Sequence, residues 1–239
     1  MLQIQQVSKT FGKLEVLKNI SVGFGQGQAV AIVGPNGSGK TTLIKSVLGM
    51  VMPESGVITF RDQPIGTDPG YRRHIGYMPQ IGRYPDNMQV GQLFDMMTDL
   101  RGESAPERDD DLIRAYRLPE IYHKSMRTLS GGTRQKVSAA LAFLFNPRVM
   151  ILDEPTAGLD PLSAEVLKEK IRAEKQRNKL FLITSHIMSD LEELATDVVY
   201  LMDGSLVFFK SLEDLKTESG EQRLGKAIAR IVENAGSDH

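Results

Sequence analysis

A chain of 239 residues can hold one large domain, or one domain with a lobe inserted, around a substantial buried core. Its 29 basic and 30 acidic residues leave a net charge of −1, which argues against a general basic surface for nucleic acid while leaving room for a local patch. Cysteine is absent, so neither a disulfide nor a thiolate metal site can form, and the composition fits a reducing compartment.

At the N-terminus, Met1-Leu2-Gln3-Ile4 lacks the basic and apolar regions of a signal peptide. No apolar run reaches the roughly 18–20 residues that cross a bilayer. A soluble, cytoplasmic protein is expected, with any membrane role exercised through a partner. Residues 1–33 read as strands. Leu2, Ile4 and Val7 alternate with polar residues, and Ile20, Val22 and Phe24 make a second broken alternation within residues 16–24. Phe11-Gly12 sits in a turn between the two. Phe11 is either a hairpin packing residue or a platform for a purine ring.

The apolar run Ala29-Val30-Ala31-Ile32-Val33 leads into Gly34-Pro35-Asn36-Gly37-Ser38-Gly39-Lys40-Thr41-Thr42, and residues 43–48 are helix-like. Strand, glycine-rich turn and helix make the setting of a phosphate-binding loop. Glycines let the backbone curl with its N–H groups inward, and the helix aims its positive end at the same place. Lys40 can reach the β- and γ-phosphates, and the Thr41 hydroxyl can ligate Mg²⁺. A bare glycine turn is the competing reading, and lysine and threonine in the required places count against it.

Pro53-Glu54-Ser55-Gly56 reads as a turn, Val57-Ile58-Thr59-Phe60 as a short strand and Asp62-Gln63 as another turn. Arg72-Arg73-His74 leads into a strand that ends at Pro79-Gln80. In residues 82–128, Val90, Leu93, Phe94, Met97 and Leu100 recur at helical spacing. The run Glu107-Arg108-Asp109-Asp110-Asp111, before Leu112, Ile113 and Tyr116, reads as a solvated face and acidic first turn of a second amphipathic helix, not as a metal site. This region is read as a helical lobe inserted into the αβ core, with Met96-Met97 as lobe packing.

Leu129-Ser130-Gly131-Gly132 opens a helix through Leu144, with Ser130 as N-cap and the glycines as a second candidate anion site, weak when taken alone. Val149-Met150-Ile151-Leu152 is an apolar run ending in Asp153-Glu154, as in a strand buried on both faces whose carboxyl end meets a ligand. Mg²⁺ coordination by Asp153 gains weight from the phosphate loop elsewhere in the chain. A helix is expected from about Ser163 to Asn178, then a buried strand ending in His186, a residue that on its own would more often be structural. Residues 191–194 read as helix and residues 198–202 as a strand, joined by Asp203-Gly204 to Leu206-Val207-Phe208-Phe209 in a hairpin. A helix starts at Ser211-Leu212-Glu213-Asp214. A last one, from about Glu221, carries Leu224, Ile228 and Ile231 on one face, and residues 235–239 should fray.

Together these pieces resemble the ATP-binding subunit of an ABC transporter over nearly the whole chain. Gly34 to Thr42 is similar to Walker A, Gln80 to the Q-loop, and residues 129–135 to the signature. Asp153-Glu154 is similar to the end of Walker B, residues 157–160 to the D-loop, His186 to the H-loop, and Phe11 to the adenine-stacking aromatic. The resemblance implies an α/β P-loop NTPase with a RecA-like parallel sheet core and an N-terminal antiparallel β subdomain (1–81 and 129–216), a helical lobe (about 82–128) and a helical tail (about 217–239), all one ABC domain. It implies ATP and Mg²⁺ as cofactors. Lys40 and the loop amides hold the phosphates, and Thr41, Asp153 and Gln80 organise the metal. Glu154 is the general base, and His186 positions the γ-phosphate and the water. It also implies an ATP-driven head-to-tail dimer with a second copy or a related cassette. Ser130, Gly131 and Gly132 of one subunit then reach the nucleotide on the other. Integral membrane permease subunits are the implied partners, with the chain peripheral on the inner face of the membrane; nucleic acid is not expected. The signature departs from the commonest pattern, reading Ser-Gly-Gly-Thr-Arg-Gln-Lys. With one cassette and a short tail, this resembles exporter-type or ABC-2-type cassettes such as those of nitrous-oxide-reductase copper maturation, although no residue here is suited to copper. A soluble ABC-type switch on nucleic acid or ribosomes is the alternative, disfavoured by the lack of a second cassette, sustained heptads and a basic arm.

Overall fold

Alternating apolar residues build the first sheet. β1 (Leu2–Phe11) and β2 (Leu14–Phe24) form an antiparallel hairpin in which Leu2 faces Phe24 and Val7 faces Ile20. Leu2, Ile4, Val7, Ile20, Val22 and Phe24 are all buried; most follow the period of two, and Val7, three residues past Ile4, is brought in by a register shift at left-handed Gln6. The structure is a computed structural model and describes residues 1–66, 69–102 and 108–237, with the backbone alone for 235–237. β4 (Ser55–Phe60) pairs with the other edge of β1, and β5 (Gln63–Pro64) completes the sheet. Ser55 and Gly56 therefore belong to a strand and not to the expected turn. Gly56, at φ 79°, lies where a Cβ would come within 2.3–2.4 Å of the Gln6 and Gln5 carbonyl oxygens. The turn that follows is Arg61-Asp62, both left-handed, so Gln63 is already in β5.

Two compact units emerge. The first, residues 1–72 and 180–239, holds β3 (Ala29–Val33) between two parallel neighbours, β8 (Leu180–Thr184) and β9 (Asp197–Met202). Every residue of β3 and β8 is buried, which is why both read as unbroken apolar runs. β8 stops at Thr184, so His186 lies two residues past the strand and not at its end. β10 (Ser205–Ser211) returns along β9 through left-handed Asp203 and Gly204. The helices here are α1 (Lys40–Val47), α6 (Met188–Leu194), α7 (Leu212–Ser219) and α8 (Leu224–Ser237). Ser211 caps α7, accepting from the Asp214 N–H at 3.0 Å. α8 begins three residues later than expected and buries Leu224, Ile228 and Ile231 beside α6 and α7.

The second unit, residues 73–179, contains the parallel pair β6 (Ile75–Met78) and β7 (Val149–Asp153). It also holds α2 (Val90–Arg101), α3 (Asp111–Ala115), α4 (Gly131–Phe143) and α5 (Pro161–Gln176). Gly76 lets β6 press on α4; a Cβ there would sit 2.2 Å from the Ala142 carbonyl oxygen. α2 buries Val90, Leu93 and Phe94, but Leu100 is 73% exposed and leaves the apolar face assigned to it. α5 starts at Pro161, earlier than expected, because Asp160 caps it through the Ser163 N–H at 2.9 Å and proline suits the first helical position.

The acidic run before α3 is only partly the solvated face that the sequence suggests: Asp111 is exposed in the first turn of α3, as expected, but Asp109 is not. Glu107 lies outside the described residues. The Asp109 side chain is only 12% exposed, and both it (2.5 Å) and Asp111 (2.9 Å) pair with the Lys170 ammonium. Lys170 also pairs with the fully buried Glu174 at 3.0 Å, and Glu174 pairs with Lys179 at 2.5 Å and Arg177 at 2.9 Å. An ionic network inside the second unit thus ties the start of α3 to α5.

Candidate functional site

The phosphate-loop candidate grows out of β3 in the first unit. Gly34 (φ 154°), Gly37 (φ 82°) and Gly39 (φ 101°) all occupy the region that favours glycine. A Cβ on Gly34 would lie 2.1 Å from the Leu201 carbonyl oxygen, and one on Gly39 would lie 2.8 Å from that of Val16. Both the backbone twist and the close approach therefore demand glycine. The Lys40 ammonium donates to the carbonyls of Gly34 (2.7 Å) and Pro35 (2.9 Å), folding back over the loop it closes. Ser38 is buried, and its hydroxyl has no protein hydrogen-bond partner. Gly39, which precedes α1, offers the helix no side-chain cap. Pro35, Asn36, Gly37 and Thr41 are exposed, and Thr42 is half-buried.

Phe11 and His186 stand on the same unit. Phe11 is 50% exposed at the end of β1, with the Lys9 ammonium 5.3 Å from its ring centre, so it belongs to the strand and not to the expected turn. His186 is exposed in the turn after β8, where the Ser185 hydroxyl accepts from the Ile187 N–H at 3.0 Å.

The other candidates stand on the second unit. Gln80 is exposed, two residues beyond β6. Asp153 closes β7 and is half-buried; burial raises the Tyr77 hydroxyl above its ordinary pKa, and the Asp153 charge adds to the shift. Glu154 is 7% exposed and holds φ 53°, a left-handed conformation on a residue that precedes proline. Ser130 caps α4, accepting from the Thr133 N–H at 3.2 Å. Gly131 is exposed, and a Cβ on Gly132 would lie 2.7 Å from the Gly158 carbonyl oxygen. The signature glycines and the turn after Glu154 are therefore one packed cluster.

Sequence reasoning missed three residues that hold this cluster. Buried Gln135 donates its side-chain amide to the carbonyls of Glu154 (3.3 Å) and Pro155 (3.4 Å). Lys136 pairs with Asp160 at 2.9 Å, and its ammonium lies 5.8 Å from the Tyr116 ring centre. The Tyr116 hydroxyl donates to the Ser163 carbonyl at 3.0 Å. Bonds from the Ser163 hydroxyl and backbone, then from Lys136, hold the Asp160 carboxyl well below the usual range. The available signal was spacing: Gln135 precedes the buried Ser138 and Ala139 by three and four residues, on the inner face of α4.

A buried parallel strand, a loop of left-handed glycines closed by lysine, and a helix starting at that lysine define a P-loop nucleotide-binding α/β protein. The chain belongs to the ABC transporter ATP-binding family: residues 17–157 match the sequence model described as ABC transporter. It is 32% identical over 219 residues to the ABC transporter ATP-binding protein YtrB of Bacillus subtilis, spanning 91% of this chain and 74% of that protein. A solved ATP-binding subunit of an ABC transporter superposes with a TM-score of 0.90 at 27% identity, over 97% of this chain and 99% of the other. The ATP-binding cassette MJ0796, solved as a dimer in a post-hydrolysis state with ADP and Pi, shares the fold at a TM-score of 0.77 and 22% identity, over 89% and 99% of the two chains. Among the described residues no helix is long and apolar enough to cross a membrane.

Proposed function

We propose that this chain is a single ABC domain that hydrolyses ATP as half of a head-to-tail dimer, and that dimer closure and reopening drive transport through separate membrane permease subunits. The observation that carries the reading is the glycine loop after β3, with Lys40 folded over it and the Ser38 hydroxyl buried without a partner. A polyphosphate offers acceptors for the loop amides, for Ser38 and for the lysine at once. Exposed Phe11 serves as the purine platform.

The Thr41 hydroxyl, the Asp153 carboxylate and the Gln80 side-chain amide oxygen are hard oxygen donors that would hold Mg²⁺. The ion would supply neutralisation of the β- and γ-phosphate charge. Glu154 takes a proton from the attacking water, and His186 orients that water and the γ-phosphate. Ser130, Gly131 and Gly132 of a second copy complete the site, a reading supported by their place at the head of α4, where Ser130 and Gly131 are exposed. Two such copies make two equal interfaces. ATP favours the closed pair because it alone bridges both halves, and hydrolysis removes that preference. The chain then sits at the inner face of a membrane by holding its permease. The signature variant Ser130-Gly131-Gly132-Thr133-Arg134-Gln135-Lys136 resembles that of exporter-type or ABC-2-type cassettes, with those of nitrous-oxide-reductase copper maturation the favoured subgroup, while cargo and direction are set by the membrane subunits.

Lys40→Ala tests the phosphate role. Losing charge-assisted bonds of ~1.5–3 kcal/mol weakens ATP binding about 10–100-fold, with ATP-dependent dimerisation lost. Calorimetry and size-exclusion chromatography with ATP report both. Unchanged affinity and dimerisation would remove Lys40 from the phosphate site.

A further inference from the structure

We propose that Gln135 is a positioning residue for Glu154: it holds the proposed base in an unfavourable backbone conformation from within the signature helix of the same subunit. The inference rests on the reading of Glu154 as the base. Glu154 combines φ 53°, which non-glycine residues seldom adopt, with a following proline, which biases its predecessor towards extended backbone. Two local preferences are thus violated at one residue, and such a conformation persists only where the surroundings impose it. The carbonyl side of Glu154 is held twice. Its oxygen accepts from the Ala157 N–H at 3.1 Å and from Gln135 Nε2 at 3.3 Å, and the same amide also donates to Pro155 at 3.4 Å.

Gln135 is itself buried, at 6% exposure, on the helix whose first residues carry Ser130 and Gly132. Gly132 rests against the Gly158 carbonyl, and Lys136 pairs with Asp160, so the turn from Glu154 to Asp160 meets α4 at three places. In a head-to-tail dimer the signature loop reads the nucleotide bound to the partner, whereas Glu154 serves the nucleotide of its own subunit. Gln135 is then the mechanical link from the first to the second. A displaced signature loop moves the amide that fixes the Glu154 backbone, so an unfilled opposite site leaves the base misplaced.

Gln135→Met keeps the length and apolar fill and removes the donor. A misplacement of about 1 Å can cost ~100-fold, so kcat is expected to fall about 10–100-fold. KM for ATP and ATP-dependent dimerisation are expected to stay at wild-type values, a split that simple damage to the signature loop would not give. In a Glu154→Gln background the same change is expected to alter residual turnover less than about threefold, because it acts through Glu154. Circular dichroism checks folding; if the Met variant does not fold, Gln135→Glu repeats the test with shape kept and the amide replaced. A folded variant with wild-type kcat overturns the role of Gln135, as does loss of dimerisation together with turnover. Glu154→Gln, assayed alongside, separates the two readings. If it still turns over at the wild-type rate, the base reading itself fails; if it is inactive while Gln135→Met is fully active, only the link fails.

Discussion

Glu154→Gln is expected to lower ATP turnover about 10²–10⁴-fold, or ~2.7–5.5 kcal/mol of transition-state stabilisation, while leaving ATP binding intact. The amide matches the carboxylate in shape, so the φ 53° backbone and its bonds from Ala157 and Gln135 have no reason to move. Only the capacity to take a proton from water is lost. Because ATP is then bound and not consumed, the variant should run as a dimer in ATP and as a monomer in ADP on size-exclusion chromatography. Wild-type turnover would exclude Glu154 as the base. A monomer in saturating ATP would exclude the ATP-bridged dimer whatever the base is.

The largest expected effect on stability comes from a residue with no part in catalysis. Glu174→Gln is expected to destabilise the fold by about 3–5 kcal/mol, the usual consequence of removing one member of a buried ion pair. Glu174 is fully buried, and its carboxylate is shared by Lys170 and Lys179, whose side chains are 7% and 8% exposed. Lys170 would keep Asp109 and Asp111, but among the described residues Lys179 would keep only the Asn146 amide oxygen at 2.5 Å and would stand nearly buried without an anion. The expected cost is that of an uncompensated charge, not the worth of the pair itself, since desolvation offsets much of the attraction. Urea denaturation measures it, and a loss below about 1 kcal/mol would mean that water reaches Lys179 and compensates it.

The same network sets a pH dependence. Burial pushes the Glu174 carboxyl up, but the bonds from Lys179 and Lys170 outweigh it and hold the group below the ordinary range. The Lys170 hydrogen bond does the same for Asp111. Groups depressed in the folded state stabilise it above the unfolded carboxylate pKa of about 4, and that contribution is lost as pH falls through the lower folded value. The stability gap between wild type and Glu174→Gln should therefore be full at neutral pH and shrink below about pH 4, where the wild-type carboxyl also becomes neutral. A gap that stays constant through acid pH would refute the assignment. Lys170 works in the opposite sense. Burial pulls it down, the bonds to Asp109, Asp111 and Glu174 outweigh that and raise it, and its contribution fades only as pH climbs through that raised value.

Most of the fold was legible because it is written in local patterns. The unbroken apolar runs at β3, β7 and β8 announce strands covered on both faces, and Ser130 and Ser211 announce helix starts. Where local reading failed, a distant partner had changed the meaning of a residue. Gly56 looks like a turn glycine, yet it sits in β4, which pairs with β1, where the Gln5 and Gln6 carbonyls leave no room for a side chain. Asp109 looks solvated, yet a lysine 61 positions away draws it inward. Leu100 fits the helical period of α2 but faces outward, because periodicity gives the stripe and not how far a neighbour covers it.

The sequence by itself determined the family. The phosphate loop needs its glycines, lysine and threonine within one short stretch, so nothing distant is required to recognise it. Only the tertiary structure decided that Gln135 of one helix holds the Glu154 backbone, that Gly132 must be glycine because the Gly158 carbonyl touches it, and that Glu174 is the shared anion of two lysines. These contacts join residues 4 to 26 positions apart in the chain, and, apart from Lys170 and Glu174 one helical turn from each other, no local spacing encodes which backbone oxygen or ammonium a buried side chain will meet.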